Sequence, residues 1–151
     1  MKFLDYRFIL VSLFLFNSYT YVFADDYVQS AVSDTKYNTI DHQTFNKSLL
    51  SAKAKGEDWT FDPVIVSLKF IGPFEGVTQT IERIHKNPES SEAAEVIITN
   101  EGLLDDSVMG LKYKLTLKRI KNGAWVIESA GKVVKCWKGR GHTTYSKELC
   151  N

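Results

Sequence analysis

The sequence lacks the short motifs by which many enzymes and cofactor-binding proteins are recognised. It has no glycine-flanked nucleophilic serine, no paired-histidine zinc helix, no phosphate-binding loop and no Cys-X-X-Cys pair. We therefore expect no cofactor. The histidines His42, His85 and His142 are far apart along the chain, and their spacing neither supports nor excludes a nucleophile–base pair.

Long apolar runs are also scarce, and the one that stands out is at the N terminus. Residues 8–16 are apolar apart from a serine, two basic residues precede them, and Val22-Phe23-Ala24 follows. This pattern predicts a signal peptide over residues 1–24, with cleavage before Asp25 and a periplasmic or extracellular product. A retained membrane anchor is the alternative, but so short a run does not cross roughly 30 Å of hydrocarbon. The mature chain has no further run of that length.

Cysteine is limited to Cys136 and Cys150. In an exported protein such a pair predicts one disulfide, and closing a loop of about 15 residues contributes about 3 kcal/mol. The alternative is a metal site with His142 as a third ligand, although the spacing matches no zinc pattern.

Charge is divided along the chain although the total is nearly neutral. Residues 25–111 hold 7 basic and 15 acidic side chains, whereas residues 112–151 hold 10 and 2. The division indicates an anion-binding face, two halves that attract each other, or solvated strand faces. We expect no nucleic-acid partner.

Two helices are predicted after a polar leader over residues 25–40. Asp41 is a candidate cap for a helix from His42 to Lys55, with Phe45, Leu49 and Leu50 on one face and Gly56 after its end. Residues 59–73 are ambiguous, because Val64, Val66, Leu68 and Phe70 alternate as in a strand. Asp62 as a cap, Pro63 at the first position and Gly72 as a terminator favour a second helix.

Four strands are predicted next, at about Val77–His85, Ala94–Asn100, Gly110–Ile120 and Ala124–Trp137. Asn87–Ser91 is a turn, and Asn122-Gly123 indicates a hairpin. A three-residue loop with left-handed Gly123 best separates apolar from charged side chains. Its predicted pairs are Arg119–Trp125, Leu117–Ile127, Leu115–Ser129 and Leu111–Val133. The buried face then holds Leu111, Tyr113, Leu115, Leu117, Trp125, Ile127 and Val133, opposite Lys112, Lys114 and Lys118.

The predicted fold is therefore α+β, with one or two helices packed on a four-stranded antiparallel meander. This element order is similar to cystatin-like and nuclear-transport-factor-2-like domains. We expect residues 41–151 to form a single globular domain that ends in the disulfide-closed loop.

The disulfide loop holds the strongest candidate binding residues, Lys138, Arg140 and His142. Gly139 and Gly141 let the backbone present N–H groups to an anion beside the arginine, and a simple turn with a backbone-bonded histidine is the alternative.

An acidic segment is the second candidate site. The acidic oxygens of Glu101, Asp105 and Asp106, with Ser107 beside them, are candidates for a calcium site or an acid/base pair. Their spacing is not that of a calcium-binding loop, and a solvated turn is the alternative. The tryptophans Trp59, Trp125 and Trp137 are expected in core or edge packing. Asn46-Lys47-Ser48 is a glycosylation triplet.

Several motifs together resemble an uncharacterised family of small exported bacterial proteins with no known activity. They are Trp59…Asp62-Pro63, Asp105-Asp106-Ser107-Val108…Gly110, Gly123-Ala124-Trp125 and Cys136…Gly139-Arg140-Gly141-His142…Cys150. The resemblance implies an envelope or secreted location. The leading functional hypothesis is a non-catalytic binding domain for an acidic protein surface or anionic envelope component. The alternatives are a small hydrolase or isomerase using Asp106 and His142, and an assembly component of an envelope machine.

Overall fold

The computed structural model describes residues 36–84 and 92–151. The predicted signal peptide, the leader up to residue 35, His85 and the Asn87–Ser91 turn lie outside these ranges. Within them, no helix is long and apolar enough to cross a membrane. In chain order the elements are β1 (Asn38–Thr39), α1 (Gln43–Ala54), a 3-10 turn (Asp58–Phe61), α2 (Pro63–Ile71), β2 (Thr78–Ile84), β3 (Ala93–Glu101), β4 (Val108–Arg119) and β5 (Trp125–Cys136).

The α+β class is confirmed, but the predicted number of strands is wrong. The sheet has five antiparallel strands in the order β1-β5-β4-β3-β2. The fifth strand is β1, in which Asn38 pairs with Lys132 and Thr39 with Gly131. Two residues are too few to show the alternation that reveals a strand, and this one forms because β5 offers it unpaired backbone groups.

Helix α1 is one residue shorter at each end than the predicted His42–Lys55 helix, and it has a different N-terminal cap. His42 is the N-cap residue and makes no side-chain capping bond. The Asp41 carboxylate accepts a bond from the Gln43 N–H at 3.1 Å. Leu49 is fully buried, whereas Leu50 is 43% exposed. The prediction that Leu50 shares the buried face is wrong, because Ala52 occupies that face one turn after Leu49.

Helix α2 confirms the helical interpretation of residues 63–71. The Asp62 carboxylate accepts bonds from the N–H groups of Val64 at 2.7 Å and Ile65 at 3.1 Å. Pro63 begins the helix, and Gly72 follows it with a φ of 86°. The Asp62 cap, the proline and the left-handed glycine therefore favour a helix more strongly than the alternation of β-branched residues favours a strand.

The β4–β5 hairpin confirms the bulged loop and half of the predicted register. Gly123 has a φ of 87°, and the pairs Leu117–Ile127 and Arg119–Trp125 are present. A second bulge leaves Glu128 as the extra residue, so Leu115 pairs with Ala130 and Leu111 with Val134. The predictions of Ser129 and Val133 at these positions are therefore wrong by one residue. Val133 lies on the opposite face of the sheet, paired with Lys112.

Both helices pack on the sheet face that carries the odd-numbered apolar residues of β4. The buried cluster joins helix residues to β3, β4 and β5. Its largest members are Leu49, Val66, Val96, Ile98, Leu115, Leu117, Trp125 and Ile127. Trp125 is in this core and Trp59 packs against it, whereas Trp137 is 37% exposed at the end of β5.

The outer edge of β5 is paired almost along its length. From the C-terminal end, Cys136 N–H donates to the His142 carbonyl, Val134 exchanges two bonds with Ser146, and β1 follows. At the far end the Asn46 amide donates to the Ile127 carbonyl at 2.8 Å and accepts from its N–H at 3.1 Å. Three separate pieces of chain, the disulfide loop, β1 and Asn46 of helix α1, thus replace one long neighbouring strand.

Candidate functional site

The two cysteines form the predicted disulfide at the end of β5. The sulfur atoms of Cys136 and Cys150 are bonded, and their Cα atoms are 5.5 Å apart. Together with His142 they are the one group of three potential metal ligands in the described ranges. Disulfide sulfurs are not thiolates, so this oxidised group lacks the ligands that zinc requires.

A tight turn inside the disulfide loop presents two basic side chains to solvent. The Arg140 N–H donates to the Trp137 carbonyl at 2.9 Å, and Gly139 takes a φ of 87° that other residues rarely adopt. Lys138 and Arg140 are exposed. Neither side chain has a hydrogen bond or ion pair with any residue the structure describes. The loop is therefore held while its cations remain available.

His142, the third predicted ligand-binding residue of this loop, is directed inward. Its Nε2 lies 2.9 Å from the Glu148 carbonyl and its Nδ1 lies 2.8 Å from the Thr144 carbonyl. Carbonyl oxygens only accept, so both bonds require a proton on each ring nitrogen. The bonds to Glu148 and Thr144 raise the pKa of His142. When protonated, His142 thus clamps the loop through both of its ring nitrogens.

The acidic segment lies beside the disulfide loop. The sequence alone did not predict this proximity. The Trp137 indole N–H donates to the Asp105 carbonyl at 2.8 Å, and the Ser107 hydroxyl donates to the Asn151 carbonyl at 2.6 Å. Bonds from the N–H groups of Val108 and Ser107 lower the pKa of Asp105. Asp106 is exposed. The two candidate sites are therefore neighbours, and the hydrogen bonds that join them have a structural role.

Sequence reasoning missed a cluster around Tyr145 on the outer face of the sheet. The Tyr145 hydroxyl and the Lys135 ammonium each lie 3.1 Å from the same oxygen of Glu101. The hydrogen bond from Lys135 is the largest cause that lowers the pKa of Glu101, and the bond from Tyr145 is the next. Burial is the largest cause that raises the pKa of Tyr145. The signal in the sequence was Gly110 inside a strand, which leaves room for the tyrosine.

The divided charge of the chain is partly neutralised within the sheet. Glu95 on β3 pairs with Lys114 on β4 at 3.4 Å, and Glu101 pairs with Lys135 on β5 at 3.1 Å. In both pairs an acid of the acidic half meets a lysine of the basic half. Lys118, Arg119 and Lys121 are exposed at the opposite end of the sheet from the disulfide loop, whereas Lys112 is half-buried with its ammonium over the Tyr145 ring.

Comparison with protein-family models, curated proteins and solved structures finds no match to this chain. The family resemblance inferred from the motifs stays a prediction.

Proposed function

We propose that this protein is a small exported domain that binds an anionic partner without catalysis, using Lys138 and Arg140. The observation that carries the proposal is the contrast within one loop. The backbone and His142 are fixed by hydrogen bonds and a disulfide, whereas these two cations have no partner among the described residues.

Such preorganisation favours binding because little conformational entropy is lost when the partner arrives. Arg140 offers a planar guanidinium that binds a carboxylate or phosphate through two bonds. Lys138 lies two residues away and adds a second positive charge. An acidic protein surface or an anionic envelope component is the chemistry that this pair fits.

The proposed function includes export of the protein. The disulfide fits an oxidising compartment, and the signal peptide over residues 1–24 with cleavage before Asp25 stays a prediction. The intact mass of the exported protein tests it, and a product that keeps residues 1–24 contradicts it. The likeness to cystatin-like and nuclear-transport-factor-2-like element order is likewise part of this proposal.

The binding role is tested by calorimetric titration with polyglutamate, a soluble acidic polymer, at low salt. Arg140→Ala should weaken binding more than the control Lys147→Ala, because Lys147 lies beside Glu148 and binds only as a point charge. Binding should also fall as salt rises, since the Debye length is about 8 Å at physiological ionic strength. Equal affinity of wild type and Arg140→Ala would overturn the proposal.

The enzyme hypothesis based on Asp106 and His142 gains no separate support, since both ring nitrogens of His142 lie within hydrogen-bond distance of backbone carbonyls of its own loop. The assembly-component hypothesis makes a different prediction. Such a component should stay with an envelope complex at high salt, whereas a charge-dependent binding domain should dissociate.

A further inference from the structure

The two edges of the sheet differ in how much of their backbone is paired. The outer edge of β5 is covered by the disulfide loop, β1 and Asn46. The opposite edge is β2, which pairs with β3 on one side only. The N–H and C=O groups on its other side have no partner in the described part of the chain, and six of its seven residues are exposed. Such an edge is a template for another strand.

Strand β2 lacks the features that usually keep an edge from pairing with another chain. Its sequence, TQTIERI, has neither proline nor lysine, and its register with β3 has no bulge. Two of its side chains turn back over their own sheet. The Gln79 amide donates to the Asn100 side chain at 3.0 Å, and the Arg83 guanidinium lies over the Trp125 ring at 5.8 Å. These side chains therefore leave the backbone edge accessible.

Ile81, the middle residue of β2, is the apolar side chain that an added strand would cover. It pairs with Ile98 of β3, so the two side chains lie on the same, helix-facing side of the sheet. Ile98 is fully buried in the core, whereas Ile81 is 39% exposed with a neighbouring strand on one side only. A strand beyond β2 would continue this apolar row.

We propose that a second copy of this chain binds along β2, so that two β2 strands pair antiparallel about a two-fold axis at Ile81. The inference goes beyond the proposed function, because it concerns another surface and another partner. A two-fold axis sets a residue opposite its own copy only at the axis. Because Ile81 is the middle of seven residues, this register overlaps the whole strand. The two Ile81 side chains then meet, and the apolar row crosses from one core to the other.

The charges of β2 favour the same register. Residues directly opposite each other share a face of the sheet, so the axis passes through a residue and not between two. An axis at Glu82 or at Arg83 would set like charges opposite each other, which is destabilising. With the axis at Ile81, Glu82 faces Thr80 of the second copy and Arg83 faces Gln79. The strand is thus complementary to itself, and this is the reason to infer a second copy as its partner.

The covered edge of β5 limits the assembly to two copies. A sheet with two open edges would add a copy at each edge and grow into a fibre. Within the described residues β2 is the one open edge, and pairing of β2 with β2 uses this edge of both copies. The expected assembly is therefore a closed dimer with a continuous sheet that receives five strands from each copy.

Sedimentation velocity over a range of protein concentrations tests the dimer. Wild type should change from monomer to dimer as its concentration rises. Ile81→Lys should raise the dimer dissociation constant by about tenfold or more, because it sets two ammonium groups opposite each other at the axis. Ile84→Lys is the matched control. Ile84 is also 39% exposed but faces Thr78 of the second copy, so the constant should change by less than about threefold.

A mixture of Ile81→Lys and Ile81→Glu tests the register. Opposite charges then meet at the axis, so the two variants should form a mixed dimer that is tighter than the dimer of either variant alone. Hydrogen exchange of the wild type requires no variant to fold. The amide protons on the outer side of β2 should gain protection as the protein concentration rises.

Four outcomes would overturn the inference. They are a wild type that stays monomeric at every concentration, a dimer that Ile81→Lys leaves as tight as wild type, the absence of a mixed dimer, and exchange in β2 that does not depend on concentration. A segment of the same chain on this edge would produce the first and the last of them. None of these measurements involves Lys138 or Arg140, so each leaves the polyglutamate test of the proposed function independent.

Discussion

Asn46 belongs to a glycosylation triplet, yet its side chain is already engaged in the fold. Its amide group spans the outer edge of β5 and makes two hydrogen bonds with the backbone of Ile127, at 2.8 Å and 3.1 Å. Ile127 is 2% exposed, so few water molecules can replace the amide there. Asn46→Ala should therefore lose both bonds at about 1–1.5 kcal/mol each, a total of about 2–3 kcal/mol in the free energy of unfolding.

Equilibrium unfolding in urea measures this loss, with Ser48→Ala as the control. Both variants destroy the triplet, but the Ser48 hydroxyl makes only a 3.4 Å contact with the Thr44 carbonyl, so its loss should change stability by less than about 0.5 kcal/mol. Asn46→Asp gives a second check, because a carboxylate oxygen cannot donate to the Ile127 carbonyl. Equal stability of Asn46→Ala and Ser48→Ala would refute the structural role, and a glycan on the folded protein would show that the amide is free.

Three further predictions concern the disulfide loop. Cys150→Ser should lower the free energy of unfolding by about 3 kcal/mol, measured in urea, and two free thiols in the exported protein would contradict it. The pKa of His142 is raised from its usual 6.5, so its stabilisation of the fold should be complete below pH 6.5 and lost as the pH rises through the folded-state pKa. Nuclear magnetic resonance titration of His142 checks this, and a pKa at or below 6.5 would contradict the clamp. Gly110→Ala would place a methyl group 2.8 Å from the Tyr145 hydroxyl and should cost about 1–3 kcal/mol. Combining it with Tyr145→Ala should give less than the sum of the two losses, and additivity would show that the contact is not the cause.

Local chemistry explains which parts of the fold were predictable. Asp62, Pro63 and Gly72 act within one helix, and Gly123 acts within one turn, so the sequence near each residue contains the cause. Strand β1 was not predictable because two polar residues carry no periodic signal, and its partner lies on β5. The extra residue Glu128 also depends on pairing across the sheet, and one unforeseen bulge shifted every later pair.

The candidate site was also predictable only where its cause lies in the local sequence. The residues around Gly139 predict a turn that exposes basic side chains. They do not predict the direction of the His142 side chain. Its partners are the backbone carbonyls of Thr144 and Glu148, and a carbonyl is present at every residue of the sequence.

The edge of β5 connects stability to the proposed binding surface. Ser146 pairs with Val134 as a strand residue would, and the His142 carbonyl accepts from Cys136. The disulfide loop is therefore hydrogen-bonded to β5 at two places, and between them Tyr145 anchors the loop on the outer face at Glu101. Opening the loop would leave backbone groups of a largely buried strand without partners, which is costly. The loop that carries the exposed cations is thus held by hydrogen bonds that the sheet requires, and a partner need not order the surface that it meets.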